Sequence, residues 1–108
     1  MFGFGKKSVD DNSLRHIIIE MQMFQSWTLD YRNTDLSMSD LNYIAKAIFD
    51  RENLKHDNNH INFATMACIS QDDYSEIRKL RLKTNFDQQI AGFCRSIGLS
   101  QIYYSPSK

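Results

Sequence analysis

The sequence predicts a mostly α fold, a small single-domain bundle of four to five helices. Three observations lead there. Apolar residues recur every three to four positions in three segments, each behind a Ser/Thr-x-x-Asp start of the kind that caps helices. Valine occurs once, at Val9, and the chain holds 4 Gly and 1 Pro, too few strand formers and turn formers for a sandwich or barrel. At 108 residues, with 42% hydrophobic and 12% aromatic side chains, the chain can fill one compact core, which excludes disordered and low-complexity classes.

Residues 1–9 read as a flexible lead, because Gly3, Gly5, Lys6, Lys7 and Ser8 carry no periodicity. The helical domain is expected over 10–98, and 99–108 as a tail.

The segment 13–32 supports two readings. Asp10 to Ser13 can supply an N-cap, and Glu20, Met21, Gln22 and Met23 favour helix. Against this, Ile17, Ile19, Met21, Met23, Trp27, Leu29 and Tyr31 fall on odd positions, a strand-like alternation. Helix is the expectation, with an α+β fold carrying a strand or hairpin at about 15–31 as the alternative. Wound as a helix, these residues cover most of its circumference, as in a central helix or an oligomer surface.

Ser37-Met-Ser-Asp40 has capping-box form. Leu41, Ile44, Ala45, Ile48 and Phe49 follow at helical spacing, giving a helix of about 14 residues that ends near Asn53. Residues 53–60 read as a polar loop, and Ile61 to Ile69 as a buried apolar segment. Ser70 to Asp73 and Thr84 to Asp87 repeat the capping pattern. The first is expected to open a helix bearing Tyr74, Ile77 and Leu80. The second opens one bearing Phe86, Ile90, Phe93 and Ile97, closed by Gly98 in a left-handed conformation.

Charge and cysteine usage narrow the function. Thirteen basic and thirteen acidic residues give a net charge of zero and a pI of about 6.8, which excludes a histone-like binder. Cys68 and Cys94 lie in apolar surroundings, and buried thiols of a reducing compartment explain them as well as a disulfide would, since sequence spacing does not decide geometry. No segment reaches the roughly 20 apolar residues of a membrane span, and the lysines after the opening aromatics are in the wrong order for a secretory signal. A cytoplasmic setting is expected.

Each candidate for chemistry meets a simpler explanation. Arg78, Lys79, Arg81 and Lys83, with Arg95, could contact phosphates, yet their helix starts with acids and ends with bases, as the macrodipole favours. Cys94, Gly98, Leu99 and Ser100 are spaced like a helix-turn-helix crossing, but the recognition helix would have under two turns. His56, Asp57 and His60 fit a metal site only on a helix that Asp-Asn-Asn resists. A calcium loop aligned on Ile61 would place Leu54 and Thr65 where carboxylates are needed. Gly5-Lys-Lys-Ser8 lacks the earlier glycine and preceding strand of a phosphate loop. No catalytic residue, metal site or cofactor is expected.

Protein contact is what remains. The expected function is a non-enzymatic interaction module, an adaptor, immunity or inhibitor protein or assembly factor, that buries an aromatic and Met-rich surface against a protein partner or itself. Met23, Phe24, Trp27, Tyr31, Tyr103 and Tyr104 are its candidate interface residues, since aromatics and Met are enriched at interface centres. A small DNA-binding regulator using the basic helix is the alternative.

Overall fold

A computed structural model describes residues 5–99. Five helices surround a shared apolar core, and one two-residue strand pair closes an edge: β1 (Lys7–Ser8), α1 (Asp11–Arg32), α2 (Met38–Arg51), β2 (Leu54–Lys55), α3 (Asn58–Ile69), α4 (Ser75–Lys83) and α5 (Phe86–Ser96). The mostly α expectation holds.

Helix α1 is the centre. Its 22 residues span about 33 Å. The Asp10 carboxylate accepts from the Ser13 N–H at 2.8 Å to start it, and Asn33, left-handed at φ 55°, ends it by donating to the Leu29 carbonyl. The odd-position alternation does not produce a strand, because α1 packs against α2, α3 and α4 and so buries residues of both parities. Ile17, Met21, Phe24 and Thr28 are fully or almost fully buried. The polar residues this encloses are satisfied: Thr28 Oγ1 donates to the Phe24 carbonyl, and Gln25 Oε1 accepts from the Leu36 N–H at 2.9 Å. Among the described residues, no buried side-chain polar atom lacks a hydrogen bond.

Helix α2 begins as expected, with Ser37 and Asp40 exchanging both capping-box bonds. It buries Leu41, Ile44, Ala45, Ile48 and Phe49 and stops at Arg51, two residues before left-handed Asn53. Beyond it the expected loop is shorter than 53–60. Leu54 and Lys55 pair in parallel with Lys7 and Ser8, so residues read as part of a lead are hydrogen-bonded to the bundle, Lys7 donating to the Asn53 carbonyl at 3.0 Å. Helix α3 then begins at Asn58 through an unexpected capping box: Asp57 accepts from the His60 N–H, and His60 Nδ1 accepts from the Asp57 N–H. Histidine is not the usual Glu or Gln partner in this motif, which hid it in the sequence.

Two expected capping boxes are absent. Ser70 caps the C-terminus of α3, its Oγ donating to the Ala67 carbonyl, and α4 starts five residues later, where Asp73 accepts from Ser75. Thr84 closes α4 by donating to the Leu80 carbonyl, and left-handed Asn85 turns the chain into α5. Asp87 cannot reach back to a cap because Arg81 holds both its oxygens.

Helix α5 completes the core with Phe86, Ile90, Phe93 and Cys94. Phe93 meets Phe24 edge-on, with ring centroids 5.1 Å apart. The helix ends as expected at Gly98, φ 77°, with Gly98 N–H to the Arg95 carbonyl and Leu99 N–H to the Cys94 carbonyl, the paired bonds of a Schellman motif. A Cβ at Gly98 would lie 3.0 Å from Tyr43 Oη. Gly98→Ala is therefore expected to cost about 1–2 kcal/mol through the left-handed backbone and this contact. A urea denaturation curve checks it, with Gly98→Asn expected to lose less.

Candidate functional site

The interface candidates on α1 differ in how far they reach the surface. Phe24 is wholly inside the core. Met23 and Trp27 are half-buried against it, Trp27 lying between the rings of Phe24 and Tyr31. Tyr31 is exposed at the end of the helix, its hydroxyl 3.3 Å from Asp87 and its ring 5.7 Å from the Arg81 guanidinium carbon. Tyr103 and Tyr104 lie outside the described residues, as does the segment from Ser100 that a helix-turn-helix would need.

Within the basic run, Arg81 is buried and Arg78, Lys79 and Lys83 are exposed. Arg81 is 5% exposed, and its guanidinium bonds Ser26 and Asp30 of α1 and Asp87 of α5 at 2.7–3.0 Å. Burial works to lower its pKa, but the bonds to Asp87 and Asp30 outweigh it and the cation is held. Arg78 grips the same Asp30 with Nε and Nη2, and the pairing with Arg78 and then Arg81 keeps that carboxyl below its ordinary value of 3.8. Lys79 pairs in solvent with Glu76. Lys83 and Arg95 are exposed. Much of the positive charge read as a phosphate-contacting run is thus neutralised by carboxylates, and its effect is to clamp α4 onto α1 and α5.

Other candidate groups are also engaged within the fold. His56 stacks on Phe49 with centroids 5.0 Å apart, and its Nδ1 lies 3.0 Å from the Leu54 carbonyl, which fixes the proton on that nitrogen. His60 and Asp57 are bonded to each other in the α3 cap, apart from the stack that holds His56. Burial pushes the Cys68 thiol up to about 12 and Cys94 up to about 11, far from nucleophilic thiolates.

A groove of about 700 Å³ runs along α1, floored by Ile17, Met23, Leu54, Leu80 and Phe86. Arg51 is among the residues that line it. It bonds Glu20 at 2.9 and 2.7 Å and Glu52 at 2.7 Å, and sits 5.8 Å from the Phe93 ring centroid, so its charge is already met within the chain.

A cluster of exposed apolar side chains lies elsewhere, on α3, while Tyr43 and Leu82 are exposed on α2 and α4. The sequence reading of Ile61 to Ile69 as buried needs correction, since only Ala64, Thr65 and Cys68 of α3 are buried. This helix packs chiefly on α1 and α2 and turns its far side to solvent. Phe63 is 58% exposed, Met66 53% and Ile69 42%. Phe49 lies against His60, and Asn42 accepts from Thr65 at 2.6 Å, so α2 and α3 run antiparallel. Met38, one turn before Asn42 and 54% exposed, therefore falls at the Ile69 end of the same surface. The missed signal was the combination of apolar residues around the whole circumference with no Asp, Glu, Lys or Arg from 58 to 69. A peripheral helix of that kind leaves part of its apolar circumference in water.

The chain matches no protein-family model, no curated protein and no solved structure.

Two outcomes follow from the Arg81 cluster. Arg81→Ala is expected to destabilise by about 3 kcal/mol, since Asp30 and Asp87 lose their shared cation, whereas Arg78→Ala, at a half-exposed pair, should cost under about 1 kcal/mol. Chemical denaturation of both variants measures the contrast. Asp30 binds protons less readily folded than unfolded, so its contribution is complete above its ordinary carboxylate range and fades as pH falls through the lower folded value. The denaturation midpoint should stay level from neutral pH to about 5 and drop below about 4, and Asp30→Asn should make that drop shallower.

Proposed function

We propose that this chain is a non-enzymatic protein-interaction module of a reducing, cytoplasmic setting, and that its docking surface is the exposed face of α3. The observation that carries the reading is the set of neighbouring exposed side chains Phe63, Met66 and Ile69 on a helix without a charged carboxylate, ammonium or guanidinium group. Large apolar groups exposed together on a stable fold mark contact sites, and Phe and Met are favoured at their centres. The mechanism is burial of this face against a protein, with the core behind it supplying a rigid platform.

The interior chemistry supports the same reading. Both thiols are desolvated, and the charged clusters around Arg81 and Arg51 are internally neutralised in ways that hold helices together. The proposal shifts the contact from Trp27 and Tyr31 on α1 to α3, because α1 spends most of its apolar surface on the core.

A photo-crosslinking amino acid placed at Met66 is expected to form a protein adduct in cells. The same group at exposed Lys46 is expected to form none, and Phe63→Glu should remove the adduct at 66. Phe63 is exposed enough that this substitution should leave stability within about 0.5 kcal/mol. Equal labelling from positions 66 and 46, or none from either, would defeat the reading.

A further inference from the structure

We propose that the occupant of the α3 face is a second copy of this chain, placed by a two-fold axis that sets α3 against its own symmetry mate. This rests on the reading of α3 as the docking face and commits it to one partner.

The charge pattern argues for the copy. Near a two-fold axis each residue approaches itself, so any charged side chain there meets its like. From Asn58 to Ile69 the helix has no Asp, Glu, Lys or Arg, whereas α1, α2, α4 and α5 each carry both signs. Helix α3 thus joins a sequence free of these four residue types to a cluster of exposed apolar side chains, whereas exposed Tyr31 of α1 and Leu82 of α4 stand on helices that carry both signs. The net charge of zero adds no repulsion between whole molecules.

The polar groups on the same face fit as well. Asn59 and Asn62 are exposed beside Phe63 and Met66. A carboxamide both donates and accepts, so across a dyad it can form a reciprocal pair of N–H···O bonds with its own copy.

Area sets the strength. The exposed parts of Phe63, Met66, Ile69 and Met38 amount to on the order of 400 Å² per copy and about 800 Å² for the pair. That is short of the roughly 1,000 Å² of a stable interface, so the dimer should be weak and concentration-dependent. Its affinity is expected in the micromolar range, about 1–100 µM.

Sedimentation of the full chain from about 1 to about 500 µM tests this. The expected result is a mass that rises from 12.7 kDa toward twice that value. Phe63→Glu and Met66→Glu should each weaken dimerisation at least tenfold while leaving the circular-dichroism spectrum unchanged, and Gln88→Glu on α5 should not. Asn59→Asp should weaken it more at low salt than at high, a signature of like charges brought together at the axis. Asn62→Cys should oxidise to a disulfide-linked dimer. A mass fixed at 12.7 kDa throughout overturns the proposal, and so does a dimer that Phe63→Glu and Met66→Glu leave intact. If the mass stays monomeric but a different protein still crosslinks at position 66, self-pairing fails while α3 stands as a docking face. If neither occurs, both fail.

Discussion

One 22-residue helix must be covered on several sides at once, and the rest of the structure answers that demand. Helix α1 buries Ile17, Met21 and Phe24 together with Gln22, Gln25, Ser26 and Thr28, so its neighbours have to supply apolar contact and hydrogen-bond partners in the same space. Leu36 N–H answers Gln25, Gln71 answers Gln22, and Arg81 answers Ser26. Leaving any of these unmet inside the core would cost on the order of 1–3 kcal/mol. Position along the chain and polar chemistry are therefore coupled, and the bundle has little freedom to shift α4 or the α1–α2 connection.

Chain reversals depend on a small set of backbone choices. Asn33, Asn53 and Asn85 take left-handed conformations at or just past the ends of α1, α2 and α4, and Gly98 does so after α5. Asparagine tolerates that region better than most residues, so three sharp reversals are made with few glycines. The caps at Asp10, Ser37 and Asp57 start the helices that follow.

The ionic groups follow a consistent division. Arg81 and Arg51 lie in crevices between helices, where carboxylates from other elements neutralise them. Arg81, which looks like part of a phosphate-binding run in the sequence, is consumed in this way, and its worth is conformational: it ties α4 to both α1 and α5. Helix α3 stands apart, held by apolar packing, the Thr65–Asn42 bond and the His60 cap, and it keeps an uncharged outer face. The protein-contact reading draws its force from the contrast between a satisfied interior and this uncharged, partly apolar outer face.

Local chemistry determined the helices that carry their own signals. The Ser37 box with the stripe from Leu41 to Phe49, and the stripe from Phe86 to Ile97 with its closing Gly98, could be read in sequence because caps and periodicity act within a few residues. Net charge, the helical class and the apolar settings of both cysteines were legible for the same reason. Tertiary structure alone decided where the ambiguous groups went. Whether Asp87 caps a helix or binds Arg81, whether Phe24 faces water or the core, and which side of α3 stays bare all depend on neighbours distant in the chain. Such contacts compete with local preferences at similar energies, so the apolar run from Ile61 to Ile69 specified oiliness on every side, and only the placement of α3 at the edge of the bundle turned half of it outward.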